Sequence, residues 1–225
     1  MKKIFYFTFT ILYLFNTQAQ KAEDFIQRAN EGVAVAQYNL ALCYEEGWGT
    51  EKDKKQAAYW YEAAAIQNLP KAQYNLGILY FNGEGVEKNP ALAVYWYEQA
   101  ANNGVAGAML NLANCHKEAI GTPQDYDKAF YWYSQAYATG NTDAALSLGY
   151  CYYNGMGTPK DEAKAVEYWL EAANKGIAEA QYNIATCYEE GVGTEENSYK
   201  ALYWYSQAAM QGHSKAQERL NKLQR

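Results

Sequence analysis

The feature that most restricts the fold of this chain is a period of 36 residues. Ala36, Ala72, Ala108, Ala144, Ala180 and Ala216 share one position, and Leu40, Leu76, Leu112, Leu148, Ile184 and Leu220 share another. Ala57, Ala93, Ala129, Ala165 and Ala201 share a third, and Trp60, Trp96, Trp132, Tyr168 and Trp204 a fourth. No insertion or deletion breaks the register. A fixed period in the range of about 20–50 residues means stacked supersecondary units, none of which can bury its apolar face alone. The copies run 33–68, 69–104, 105–140, 141–176 and 177–212.

Each copy divides into two helices. In the second, Ala72, Leu76, Leu79 and Tyr80 recur at steps of three and four, which predicts a helix from Pro70 to Phe81. Pro70 suits the first turn, where its missing N–H costs nothing. Gly83-Glu84-Gly85 ends that helix, and a second runs from Pro90 to Asn102 with Ala93, Trp96, Tyr97, Ala100 and Ala101 inward. The glycine pairs at 47–49, 83–85, 155–157 and 191–193 follow helices and precede helices, so they read as turn formers and not as phosphate cradles. The alanines let helix axes approach, and the aromatic at Trp96 and its equivalents fills the space beside them.

The two ends differ from the copies. Lys21 to Gly32 reads as half a repeat, with Ala22, Phe25 and Ala29 at helical spacing, and serves as an N-terminal cap. The tail from His213 starts another first helix: Ala216, Leu220 and Leu223 face inward under a coat of Lys215, Arg219, Lys222 and Arg225. A polar-faced terminal unit keeps a solenoid soluble. His213, at the start of that helix, is expected to be solvated.

Residues 1–19 read as an export signal. Lys2 and Lys3 precede an apolar run from Ile4 to Phe15, and Thr17-Gln18-Ala19 offers a cut after Ala19. The run is too short for a helix that spans a bilayer, which needs about 20 residues. No stable membrane insertion is expected after cleavage. The expected location is the periplasm or the outside of a bacterial cell.

The sequence is acidic, with 19 basic and 25 acidic residues. Loss of Lys2 and Lys3 would make the mature chain more acidic still. Without a basic patch, nucleic acid is excluded as a partner, because backbone binding needs a cationic surface. The four cysteines, Cys43, Cys115, Cys151 and Cys187, share one repeat position, which Leu79 takes in the second copy. Equivalent residues of stacked units lie roughly 10 Å apart, beyond the ~7 Å Cα limit of a disulfide. They are therefore expected as free thiols in the core.

No catalytic set stands out. G-x-S-x-G, S-x-x-K, H-E-x-x-H and paired Cys-x-x-Cys are all missing from the sequence. His116 replaces a repeat tyrosine beside Cys115, but neighbours on a helix point about 100° apart, so a structural role is expected. The chain is read as a non-enzyme with no metal and no cofactor. Glu45, Glu46, Glu189 and Glu190 flank the glycine loops and read as solvated helix ends; the sharper reading is an acidic rim for a basic partner.

The pattern A-x-A-x-x-x-L-G-x-x-Y-x-x-G-x-G-V followed by K-A-x-x-W-Y-x-x-A-A-x-x-G resembles the Sel1-like repeat, a relative of the tetratricopeptide repeat. The second copy carries Leu76-Gly77, Tyr80, Gly83, Gly85-Val86, Ala93, Trp96-Tyr97 and Ala100-Ala101 in place. The third departs from it at His116, Ala119 and Tyr137, and the fourth reverses the aromatic pair as Tyr168-Trp169. The resemblance implies an all-α, right-handed α–α superhelical solenoid whose first helices line the concave side. On those helices Asn39, Asn75, Asn111 and Asn183 share a column, filled by Ser147 in the fourth copy. Tyr38, Tyr74 and Tyr182 lie one residue earlier, and Tyr150 lies three residues after Ser147. An amide donates and accepts, so a ladder of amides can clamp an extended peptide by its backbone while the aromatics add contact area. The same amides can instead brace neighbouring helices.

The resemblance implies an adaptor; together with the export signal, the acidic chain and the missing catalytic set, the expectation is an exported, monomeric, non-enzymatic scaffold for a protein or extended peptide. The alternative is a cell-wall ligand binder or β-lactamase-like hydrolase, as described for cysteine-rich relatives. Those relatives carry two cysteines per repeat, paired within the unit, whereas this chain has one at most. A third reading is a stabilising module of an envelope assembly with no groove ligand. Thiol counting under denaturing, non-reducing conditions is expected to return four free thiols, with no mobility shift on reduction.

Overall fold

The computed structural model describes residues 22–223. The expected export signal lies outside the described residues. Twelve helices and no strand occur among them. Helix α1 covers 22–30. The pairs that follow are α2 (Ala34–Glu46) with α3 (Lys54–Ala65), α4 (Pro70–Asn82) with α5 (Pro90–Asn102), and α6 (Ala106–Glu118) with α7 (Tyr126–Ala138). Then come α8 (Asp143–Asn154) with α9 (Glu162–Asn174), α10 (Ala178–Glu190) with α11 (Ser198–Met210), and the terminal α12 (Ser214–Leu223). The expected second-copy helices agree with α4 and α5 to within one residue.

The chain forms two units, one of residues 1–108 with 120–122 and one of 109–119 with 123–225. In the first, consecutive helices α2, α3, α4 and α5 pack in order, and Ala29 of α1 joins Ala36 and Leu40 in a small apolar cluster. In the second, α7 to α12 pack in order.

The same local devices recur in both units. After most first helices a glycine takes the left-handed conformation, as Gly83 does at φ 78°, and its N–H bonds back to the Leu79 carbonyl. The next second helix is capped by a side chain: Asp53, Asn89, Asp125, Asp161 and Asn197 all accept from first-turn N–H groups. Each such cap is worth about 1 kcal/mol. The backbone N–H of each cap residue also bonds to the first helix of its own copy, as Asn89 does to the Tyr80 carbonyl at 2.9 Å.

The second loop glycine does something different. A Cβ on Gly85 would lie 2.0 Å from the Lys54 carbonyl oxygen, and one on Gly157 would lie 2.1 Å from that of Tyr126. Gly121 and Gly193 stand in the same relation to Pro90 and Glu162. Backbone of one copy thus rests on the first turn of the second helix in the copy before, at a distance only glycine allows.

The core aromatic is the residue after the tryptophan column. Tyr61, Tyr97, Tyr133, Trp169 and Tyr205 are all buried to 3% exposure or less. Trp96 is buried too, but Trp60, Trp132, Tyr168 and Trp204 are only half-buried. Opposite the deep aromatic the first helix presents Ala41, Gly77, Ala113, Gly149 or Ala185, each buried. A Cβ at Gly77 would meet the Tyr97 ring at 2.7 Å, and one at Gly149 the Trp169 ring at 2.3 Å. The reversed pair of the fourth copy therefore places its larger ring in the deep position, over a glycine.

Two features tie copies together. Gln37, Gln73 and Gln181 are buried and donate to the carbonyls of Ala29, Ala65 and Ala173 at the end of the preceding second helix. The fourth copy has Ala145 in this column, and there Tyr137 supplies the link: its hydroxyl donates to Glu171 and its ring meets Tyr168 edge-on at 5.3 Å. The cysteines are free and buried, as their shared column predicts.

The third copy holds Ala119 in the left-handed region at φ 57°, where other copies place glycine. An L-residue there costs roughly 1–2 kcal/mol, part of which is offset by the lower chain entropy of alanine when unfolded. Ala119→Gly is expected to stabilise the protein by about 1 kcal/mol. Gly157→Ala, which drives a methyl into the Tyr126 carbonyl, is expected to destabilise by more than about 2 kcal/mol. Urea melts of the two variants check both signs.

Candidate functional site

The asparagine and tyrosine columns lie on the first helices, and all eight expected site residues are half-buried. In the first unit the Tyr38 ring lies 5.7 Å from Tyr61, and the Tyr74 ring 6.2 Å from Tyr97. Each column tyrosine thus leans on the deep tyrosine of its own copy. The Asn75 amide reaches the hydroxyls of both Tyr38 and Tyr61 in the copy before. The Tyr61 hydroxyl also donates to Glu45 at 2.5 Å. Burial first, and then the Glu45 carboxylate, hold this phenol well above its ordinary range.

The second unit repeats the scheme with substitutions. Tyr133 donates to the Asn114 side chain and also meets Ser147, the serine of the asparagine column. Tyr182 lies 5.7 Å from Tyr205. The Tyr205 hydroxyl donates to Glu189 at 2.7 Å, and Arg219 of α12 bonds the same carboxylate. Glu45 and Glu189 are therefore partly buried acceptors for core phenols, while Glu46 and Glu190 are exposed.

Tyr150, Tyr182 and Asn183 come together around a cavity of about 240 Å³ between α8 and α10. Tyr153 and Trp169 complete its aromatic walls, and Thr186 and Glu190 add polar groups. The Tyr150 hydroxyl donates to Glu179 at 2.9 Å. Its ring meets Trp169 edge-on at 5.3 Å, so both ends of the side chain are fixed. Burial first, opposed by the nearby Asn183 amide and reinforced by Glu179, pushes the Tyr150 phenol up to about 12. The Asn183 amide reaches that phenol as Asn75 reaches Tyr38 and Tyr61, and its Nδ2 is hidden from solvent, with no hydrogen bond of good geometry among the described residues.

His213 is not the solvated residue that its position at a helix start suggests. It stacks on the Tyr182 ring at 4.7 Å, and its side chain is only 13% exposed. Nδ1 accepts from the Ala216 N–H, so the ring caps α12. That bond places the proton on Nε2, which lies 3.0 Å from Glu179 Oε2. Tyr150, Glu179, His213 and Tyr182 form one connected wall beside the cavity.

Sequence reasoning did not single out Tyr153, Trp169 or Glu179. The available signal was the fourth copy's own irregularity: Tyr153 stands in the column of Glu45 and Glu189, and Trp169 in that of a tyrosine. His116 is buried, and its carbonyl accepts from the Asp125 N–H. Among the described residues no three His, Cys, Asp or Glu side chains are grouped to hold a metal ion. No described helix is long and apolar enough to cross a membrane.

The Sel1 repeat family model matches residues 34–69, 70–105, 106–141, 142–177 and 178–213. This chain belongs to the Sel1 repeat family. Its fold is accordingly an all-α solenoid of Sel1 helical hairpins. A Sel1 repeat protein from Oxalobacter formigenes is 35% identical over 95% of this chain and 85% of its own, with a TM-score of 0.84. A protective antigen of uropathogenic Escherichia coli, described as displaying an SLR fold, is also 35% identical, with a TM-score of 0.83. The match covers 88% of this chain but only 43% of the antigen, so the present Sel1 protein spans under half of that relative. No curated protein matches the chain significantly. Sel1 repeats generally mediate contacts between proteins.

The titrating groups of the core share one sign. Burial raises the Cys115 and Cys151 thiols to about 11 and the Cys187 thiol to about 12. Tyr137, held chiefly by its bond to Glu171, stands at about 12. A group whose folded value exceeds its unfolded one adds stability that is full below the unfolded value and is lost as pH rises through the folded one. Stability of this Sel1 protein is therefore expected to fall between about pH 9 and pH 12, where buried thiols and phenols must ionise. Urea midpoints measured across that window check the slope.

Proposed function

We propose that this Sel1 repeat protein is an exported, monomeric, non-enzymatic scaffold that binds a protein or extended peptide along its first-helix faces. The observation that carries the reading is the cavity between α8 and α10, where Tyr150, Tyr182 and Asn183 of the expected clamp converge on open space. In a stacked repeat, equivalent faces recur at a fixed step, so a groove beside one pair continues past the next. The asparagine column has two jobs in this reading. Asn75 braces Tyr38 and Tyr61 with part of its amide. Its half-exposed remainder, with that of Asn39, Asn111 and Asn183, offers donors and acceptors to a peptide backbone.

Export is supported by the charge and length pattern of residues 1–19, and an acidic chain suits a partner with basic character. The reading assigns no catalytic residue, metal or cofactor.

The test is the double substitution Asn75→Ala with Asn111→Ala, assayed against partners captured from an envelope extract. Binding is expected to weaken by at least about tenfold, as for loss of two amide contacts, with a smaller drop in melting temperature. Undiminished binding alongside a lowered melting temperature would confine the asparagines to bracing and remove the clamp.

A further inference from the structure

The cavity between α8 and α10 is specific enough to name what enters it. Four aromatic side chains, Tyr150, Tyr153, Trp169 and Tyr182, line it. At about 240 Å³ it falls below the ~300–1,000 Å³ of sites for drug-sized ligands and suits one long side chain. The charge at its edge is negative: Glu190 borders it, and no lysine or arginine among the described residues does. Glu190 forms no salt bridge among the described residues, unlike Glu189 beside it, which is held by Arg219 and Tyr205. The Asn183 amide, hidden from solvent at Nδ2, lies against the Tyr150 phenol and helps to hold that ring in the wall.

These groups discriminate among occupants. An acidic side chain would face Glu190 as a like charge. A purely apolar one would cover the aromatics but leave the carboxylate uncompensated. A cation attracted to ring faces within about 6 Å and to a carboxylate at the lip satisfies both. Between the two basic side chains, arginine is the more weakly hydrated, and its planar guanidinium stacks on aromatics and pairs with a carboxylate through two N–H groups.

We infer that this groove takes the arginine side chain of an extended partner segment, with Glu190 as its counter-charge. The inference rests on the scaffold reading above and names the partner chemistry at one step of it. The wall is set before the ligand arrives: Tyr150 is tied to Glu179, and Tyr182 is stacked on His213. Little ordering then remains for binding to impose.

The probes are three capped tripeptides, acetyl-Ala-Arg-Ala-amide, its citrulline analogue, which keeps the shape and loses the charge, and acetyl-Ala-Leu-Ala-amide. Each is titrated into the full chain while backbone and indole resonances are followed by NMR. The arginine peptide is expected to shift the Trp169 indole and to bind on the order of tenfold more tightly than the citrulline peptide. Glu190→Gln, at an exposed position, is expected to abolish that difference and leave the melting temperature unchanged. Equal binding of arginine and citrulline peptides, or a preference that survives Glu190→Gln, overturns the inference. Should the leucine peptide bind this groove best, the arginine assignment falls and the scaffold reading stands. If no peptide disturbs any first-helix resonance, both fall.

Discussion

Backbone resting on backbone sets the step of the stack. Gly85 on Lys54, Gly121 on Pro90, Gly157 on Tyr126 and Gly193 on Glu162 each bring main chain to main chain with no room for a methyl group. Contacts of this kind tolerate no adjustment, unlike an interface of long side chains. They fix how far each copy advances, and the aromatic packing, the glutamine ties and the groove all follow from that spacing. The invariance of the 36-residue period is the sequence trace of the same constraint: an added residue in the loop would lift the glycine off its seat.

Within each copy one deep ring meets one small residue, alanine or glycine. Tyr61 faces Ala41 and Tyr205 faces Ala185, while Trp169, the largest ring, faces Gly149. The hydroxyls of the deep tyrosines point toward polar groups: Glu45 and Asn75 at Tyr61, Asn114 and Ser147 at Tyr133, Thr186 and Glu189 at Tyr205. A phenol thus anchors the core at its ring and orders the first-helix face at its oxygen. Trp169 has no hydroxyl; its indole N–H turns to the Leu146 carbonyl instead. The Asn183 amide reaches Tyr150 instead of the deep ring, and the cavity lies there.

Most of the architecture is written in the period and in the glycine and proline positions, because these report backbone conformation directly. The deep aromatic is harder to read. Trp60 and Tyr61 are adjacent, both are large, and both recur in each copy; which one goes inward depends on where the partner helix lies, and that is a tertiary fact. His213 misleads for a similar reason. A histidine at a helix start reads as solvated until Tyr182, from the preceding first helix, is seen stacked against it. The glutamine column is visible in retrospect as Gln37, Gln73 and Gln181, but a polar residue inside a helix gives no hint of burial unless its carbonyl acceptor is known.

The cysteine column has a consequence for how motion in such an array could be followed. Each thiol is sealed behind the joint of its own hairpin and held in its unreactive, protonated form by the hydrocarbon around it. Away from the cavity, which Cys187 borders, such a thiol answers to an alkylating reagent only when its hairpin parts. The molecule carries a set of internal clocks, one for each hairpin but the second, where Leu79 leaves the dial blank. Fraying from an end and rupture in the middle would leave different orders of modification along the same chain.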